Sequence, residues 1–410
     1  MTRVLFFGDL AGTGFGTVTM DLGRELLAAG LDLRFTSQNE FDDLPEPFAS
    51  RTYRVNDPDG HLHLAQVGGI HGLLNGAAWA DGWRPEAAIL LGDFLAAKMV
   101  VLGDRSTADA FRSVPTFHYV PIEGVDLPPS WGDLWRVVRP VAMTNFGADE
   151  IAKIMPDLPR PPMIYHGVDG NQFHLASAER PIYLEDGRKL RSKEACRKVF
   201  GADPTRRVVL RTDRHMPRKR YNSYLRAMLP VLAERPDVLL VIHCRVWDQG
   251  GNLDDTLSKY PDWFRRRVIL TRFHERNGGA TRNVLAALYN AADVYASNSA
   301  EGFGLTIAEA IACGTPAVGV RYSSVPEVIG PAGVTVEEGG LIDNEYDHFW
   351  WAADEEAFGN AVGALLDDEV ARRRCAKAGP AHVAANFTWS NAARQFAGLI
   401  EAAIAKEAAA

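Results

Sequence analysis

The pattern that most limits how this chain can fold is an alternation of short apolar runs with amphipathic helical stretches, and it occurs twice. In the first half, strands are predicted at Val4–Gly8, Leu31–Thr36, Ala88–Leu91, Thr116–Tyr119, Ala142–Thr144 and Met163–Tyr165. Helical patterns such as Val18–Ala29 lie between them. In the second half, strands are predicted at Arg207–Arg211, Val238–His243, Val268–Thr271, Val294–Ala296, Ala317–Val320 and Val334–Val336. Leu225–Leu232, Asn283–Asn290 and Leu305–Cys313 read as helices between those strands. Parallel strands need long crossovers, which helices supply, so this order implies an α/β class of parallel sheets covered on both faces. Two such domains suit 410 residues. Prolines at Pro159–Pro162 resist helix and central strand and mark the boundary or its neighbourhood. From Trp389 onward the tail has the period of a long helix.

Composition narrows the class of partner. Apolar residues make up 47% of the chain and charged ones 23%, enough for two cores. The net charge of −8 is uneven, because residues 1–160 carry 13 Lys and Arg against 21 Asp and Glu. An acidic half is a poor landing surface for nucleic acid or anionic lipid, so charge indicates neither as an acceptor. Cys196, Cys244, Cys313 and Cys375 form no CxxC pair, which fits reduced structural thiols and a cytoplasmic setting. The opening MTRVLFFGDL is too short for a signal peptide, and no stretch nears the roughly 20 apolar residues of a membrane span. Peripheral membrane contact is left open.

Doubly wound sheets bind ligands at the carboxyl ends of their strands, so the loops after strands carry the candidates. The first is NSAEGFGLTIAEA, residues 298–310. Gly302 and Gly304 let backbone approach a ligand, and the helix opening at Leu305 presents unpaired amides to an anion at Gly304–Thr306. Glu301 and Glu309 flank that point, and carboxylates suit vicinal diols of a sugar and of a ribose. The plain alternative is a strand–turn–helix with two surface glutamates. The second is RTDRHMPRKRY, residues 211–221, where Arg214 and Lys219 can converge on a diphosphate. Its alternative is a solvated basic loop. The third is GDLAGTGFGT after the first strand, where Gly12-x-Gly14 lacks the third glycine of a dinucleotide fingerprint and reads as a loop closing over phosphates. The fourth is His118 in TFHYVPIEG, either a ligand for a sugar hydroxyl or a structural histidine. Asp57-Pro58-Asp59 with His61 and His63 offers too few convincing ligands for a metal, so none is expected.

Together these segments resemble the retaining glycosyltransferases of the GT-B fold, family four. EGFGLTIAEAIACGTPAV, Glu301–Val318, is similar to the family's E-x7-E signature with its Gly-Thr-Pro turn. Arg214 and Lys219 take its R-x4-K positions, and Thr13-Gly14 falls at its usual glycine pair. HGVD, His166–Asp169, looks like the opening of the second domain, and FTW, Phe387–Trp389, like the start of a helix returning to the first. The resemblance departs at Thr13, at Thr306 in place of the commoner proline, and at Ser323-Ser324 in place of a glycine pair. Segments 180–200 and 338–353 look like insertions.

The resemblance implies two doubly wound Rossmann-like domains facing a central cleft. They span residues 1–163 on the acceptor side and 164–386 on the nucleotide-sugar side, with 387–410 as the returning helix. It implies a hexosyltransferase that needs no metal or resident cofactor and moves a sugar, with retention, from a UDP- or GDP-linked donor to a hydroxyl. In that reading Gly14, Arg214, Lys219, Glu301, Gly302, Phe303, Gly304, Leu305, Thr306 and Glu309 bind the donor. His118, Glu301, Arg214 and Lys219 act in the transfer. The alternatives are a nucleotide-sugar epimerase of the same fold and a non-catalytic nucleotide-sugar binder.

Overall fold

A computed structural model describes residues 1–37, 44–53, 67–79, 81–274, 279–344 and 348–409. Asp57, Asp59, His61 and His63 lie outside the described residues, as do 345–347 of the second insertion. The chain divides into two compact units, Met1–Gly167 with Thr388–Ala410, and Val168–Phe387.

The first unit holds five parallel strands: β1 (Arg3–Gly8), β2 (Asp32–Ser37), β3 (Ala87–Leu91), β4 (Thr116–Val120) and β5 (Arg139–Ala142). Their order is β2-β1-β3-β4-β5. Every residue of β3 and β4 is buried, as expected for strands covered on both faces. The order reverses between β1 and β3, which puts the loops after those strands at the switch point. The strand expected at Ala142–Thr144 ends at Ala142, because Thr144 caps the helix Asn145–Ile154 by accepting from the Gly147 amide at 3.1 Å. Met163–Tyr165 makes only a bridge from Met163 to Ala142, since prolines 161 and 162 bring no amide protons to a ladder.

The C-terminal helix Trp389–Ala408 belongs to this unit and packs on the helix Gly14–Ala28. Phe396 meets Tyr119 edge-on at 4.9 Å, and Trp389 stacks on His166 at 5.6 Å. A Cβ on Gly167 would lie 2.1 Å from the Trp389 amide nitrogen, so only glycine lets the chain pass there.

In the second unit a small antiparallel pair, β6 (Ile182–Tyr183) and β7 (Lys189–Leu190), opens the first insertion. The main sheet contains β8 (Arg207–Thr212), β9 (Val238–His243), β12 (Val268–Leu270), β13 (Val294–Ala296), β14 (Ala317–Val320) and β15 (Gly333–Val336). A short pair, β10 (Trp247–Asp248) and β11 (Gly251–Asn252), lies between β9 and β12 in sequence. The second insertion is a hairpin of β16 (Glu338–Asp343) and β17 (Phe349–Ala353). The main sheet is all parallel, in the order β12-β9-β8-β13-β14-β15. Counting its strands along the chain gives 3-2-1-4-5-6, whose switch point falls between β8 and β13. The loops that follow those two strands hold Asp213–Lys219 and Ser297–Gly304.

Candidate functional site in the second unit

The sheet order brings the two loops together at the switch point. β13 leads through Ser297–Gly304 into the helix Leu305–Ala312. Gly304 has a φ of +97°, a left-handed conformation that glycine adopts without penalty, and it turns the chain into that helix. The first helical amides have no partner one turn back and so form an anion-binding end. On the other side, β8 runs through Asp213 into a short 3-10 turn, Pro217–Lys219, and then into the helix Tyr221–Glu234.

These loops share a buried cluster of charges. Lys219, only 5% exposed, bonds through Nζ to Glu301 Oε1 and lies 3.4 Å from Asp213 Oδ1. Asp213 also accepts from Arg211 Nε at 3.0 Å and Ser297 Oγ at 3.1 Å. Burial opposes ionisation of Asp213, yet the adjacent Lys219 and Arg211 charges outweigh it and hold the carboxyl below its usual range. Arg211 is fully buried under Tyr221 and Tyr224, with its guanidinium carbon 4.2 and 4.5 Å from the two ring centres. Its two terminal nitrogens reach Asn298 Oδ1, at 3.0 Å, and the Lys219 carbonyl, so one side chain ties both loops together.

Serines fix the glycine turn. Ser299 Oγ donates to Glu301 Oε1 at 3.0 Å, and Ser323 Oγ accepts from the Glu301 amide at 3.0 Å. Ser324 Oγ lies 2.7 Å from the carbonyl oxygens of both Glu301 and Phe303. The serine pair that departs from the resembled family is thus the support of Glu301. One turn into the helix, Glu309 accepts from the Tyr289 hydroxyl at 2.7 Å. Thr306 Oγ1 accepts from Tyr295 at 2.8 Å.

The expected residues therefore separate into groups. Glu301, Gly302, Phe303, Gly304, Leu305, Thr306, Glu309 and Lys219 come together at the switch point of the second unit. Arg214 stays outside that cluster, exposed and ion-paired with Asp248 through bonds of 3.2 and 3.1 Å. Gly14 is the first residue of its helix and is sterically open: a Cβ added there would meet nothing within 4 Å. The glycine that this loop requires is Gly16, whose Cβ would fall 1.9 Å from the Ala11 carbonyl oxygen.

His118 needs correction as a substrate ligand. It lies inside β4, is 0% exposed, and both ring nitrogens are engaged within the first unit. Trp135 Nε1 donates to Nδ1 at 3.1 Å, and Nε2 lies 3.1 Å from the Gly92 carbonyl. Burial lowers its pKa to about 4. It is the structural histidine of the two readings. Arg211, Asp213 and Tyr289 are cluster members that sequence reasoning does not single out. Their signal is a charged or hydroxyl-bearing residue at or beside a largely apolar stretch of its element.

Comparison with known proteins bears on the family and the fold. Residues 206–368 match the family described as Glycosyl transferases group 1. The matched stretch contains both switch-point loops. The chain is similar to a GDP-mannose-dependent monoacylated alpha-(1-6)-phosphatidylinositol monomannoside mannosyltransferase of Corynebacterium glutamicum. The two are 30% identical over 232 residues, covering 54% of this chain and 51% of that protein. It is 32% identical over 209 residues to a D-inositol 3-phosphate glycosyltransferase of Corynebacterium diphtheriae, covering 50% of this chain and 44% of that one. The chain thus spans about half the length of the curated relatives it matches. Among solved structures, the sucrose-phosphate synthase of Thermosynechococcus elongatus matches with a TM-score of 0.72 at 17% identity, over 99% of this chain and 100% of that one. Anabaena HepE in complex with UDP and glucose matches at 0.69 and 15% identity, over 98% and 100%. The fold is GT-B, with the C-terminal helix returned to the first unit. Among the described residues no helix is long and apolar enough to cross a membrane, and no three His, Cys, Asp or Glu could hold a metal.

Proposed function

We propose that the chain is a retaining, metal-independent glycosyltransferase that moves a hexosyl group from a UDP- or GDP-linked donor to a hydroxyl acceptor. The observation that carries this reading is the meeting of Lys219 and Glu301 beside the Gly304 turn, at the switch point within the matched stretch. The donor pyrophosphate lies on the amides of Leu305 and Thr306, where the helix end favours negative charge. Lys219 neutralises the phosphate as it departs, and Arg214 joins it by leaving Asp248. Glu309, oriented by Tyr289, accepts from the ribose hydroxyls, and Glu301 accepts from the transferred sugar. The departing phosphate oxygen takes the acceptor's proton on the same face of the sugar, so no enzyme carboxylate need act as base. Two relatives act on inositol-bearing acceptors by their names, which makes a polyol hydroxyl the first acceptor to try.

Incubation of the protein with GDP-mannose or UDP-glucose and a panel of polyol and sugar acceptors tests the reading. The expected result is a glycoside with the donor's anomeric configuration, formed in the presence of a chelator. Lys219→Gln should lower kcat by roughly 10²-fold. A product of inverted configuration, or undiminished turnover by Lys219→Gln, refutes the mechanism.

A further inference from the structure

Asp213 has no part in donor binding as described above, yet it sits at the centre of the charged cluster. Its carboxylate is held on one side by Arg211 and Ser297, at 3.0 and 3.1 Å, and faces the Lys219 ammonium at 3.4 Å. Arg211 cannot turn toward a ligand. It is fully buried, and its other nitrogens are committed to Asn298 and to the Lys219 carbonyl. The cluster therefore holds two cations, Arg211 and Lys219, against two anions, Asp213 and Glu301. Equal numbers of buried opposite charges offset the cost of removing each from water.

An arriving diphosphate upsets that balance. It presents negative charge to an ammonium that two carboxylates already neutralise. Asp213 is anchored by its hydrogen bonds from Arg211 and Ser297 and cannot withdraw. Attraction between buried charges falls only as the inverse of distance and is little screened by salt. Asp213 thus remains a rival of the phosphate for Lys219 throughout binding.

We propose that Asp213 is a resident counter-anion to Lys219 that weakens the grip of the second unit on a nucleoside diphosphate and so promotes release of that product after transfer. The inference rests on the donor site proposed above. Asp213 touches no substrate and is a positioning residue: it sets how much of the Lys219 charge the phosphates receive. A purely structural carboxylate would behave differently, since its loss would loosen the loops and weaken every ligand alike.

Titration calorimetry with GDP and UDP, and with GMP and UMP, on the full chain and its Asp213→Asn variant separates these cases. The variant is expected to bind the diphosphates about tenfold more tightly or better. The monophosphates should change much less, and diphosphate dissociation should slow in stopped flow. Asp213→Glu, which restores the charge, should return affinity toward the parent value. Unchanged or weaker diphosphate binding by a folded Asp213→Asn protein overturns the proposal while leaving the donor site intact. If Asp213→Asn does not fold, Asp213→Ser, which also removes the charge and leaves a hydroxyl for Arg211, is read in the same way. If the parent protein binds neither diphosphate, the donor-site reading fails and this inference fails with it.

Discussion

Acid should destabilise this protein through its buried histidines, and His118 gives the clearest test. Its two hydrogen bonds define the tautomer. An indole N–H only donates, so Nδ1 must accept from Trp135 and Nε2 must carry the proton toward Gly92. Further protonation at Nδ1 would set two donors against each other in a buried site. Burial accordingly lowers the pKa from 6.5 to about 4. The folded value lies below the unfolded one, so the stabilisation is complete above about pH 6.5 and is lost as pH falls toward 4. From pH 7 to pH 5 the loss is about 2 kcal/mol from His118 alone. His166, buried between Tyr119 and Trp389 and lowered to about 3, adds a similar loss in the same unit.

Urea unfolding at pH 7 and pH 5 measures this directly. His118→Gln should be less stable at pH 7, but its further loss at pH 5 should be smaller than the parent's by about 2 kcal/mol. In the parent, the ring carbon resonance of His118 should not titrate above about pH 5. A midpoint near 6.5, or an equal pH-dependent loss in the variant, would refute the burial argument.

Three other perturbations follow from the geometry. Gly16→Ala should lower stability by about 1–3 kcal/mol, measured by thermal melting, because its Cβ meets the Ala11 carbonyl oxygen at 1.9 Å. Gly14→Ala, with open space around it, should change stability by less than about 0.5 kcal/mol. Tyr289→Phe removes one hydrogen bond to Glu309 and should weaken nucleoside diphosphate binding by about 2- to 10-fold in calorimetry. A 2′,3′-dideoxy diphosphate should show no difference between the two proteins, and an equal loss with it would show that Glu309 does not hold the ribose.

Most strands are legible because covered parallel strands are continuous apolar runs. β9, β13 and β14 have the same limits in sequence and structure, whereas Thr144 has the pattern of a strand residue although its hydroxyl caps a helix. The glycine turn is legible for a different reason: amides at a helix start and a glycine before them leave a local mark. What the sequence does not convey is which charges pair across the switch point. Lys219 meets Glu301, 82 positions away, while Arg214 turns to Asp248. Sequence spacing places Arg214 and Lys219 together, but only the topology reveals that Arg211, two positions from Asp213, occupies the interior. His118 misleads because a strand-end histidine and a buried one look alike until Trp135 and Gly92 are seen beside it.

The return of Trp389–Ala408 to the first unit also orders biosynthesis. A ribosome finishes every residue of the second unit before it makes the last helix of the first. The β1–β5 sheet must therefore wait with the flank against Gly14–Ala28 uncovered while more than two hundred residues emerge. Premature termination near Phe387 would spare the charged cluster yet strip Tyr119 of Phe396 and His166 of Trp389.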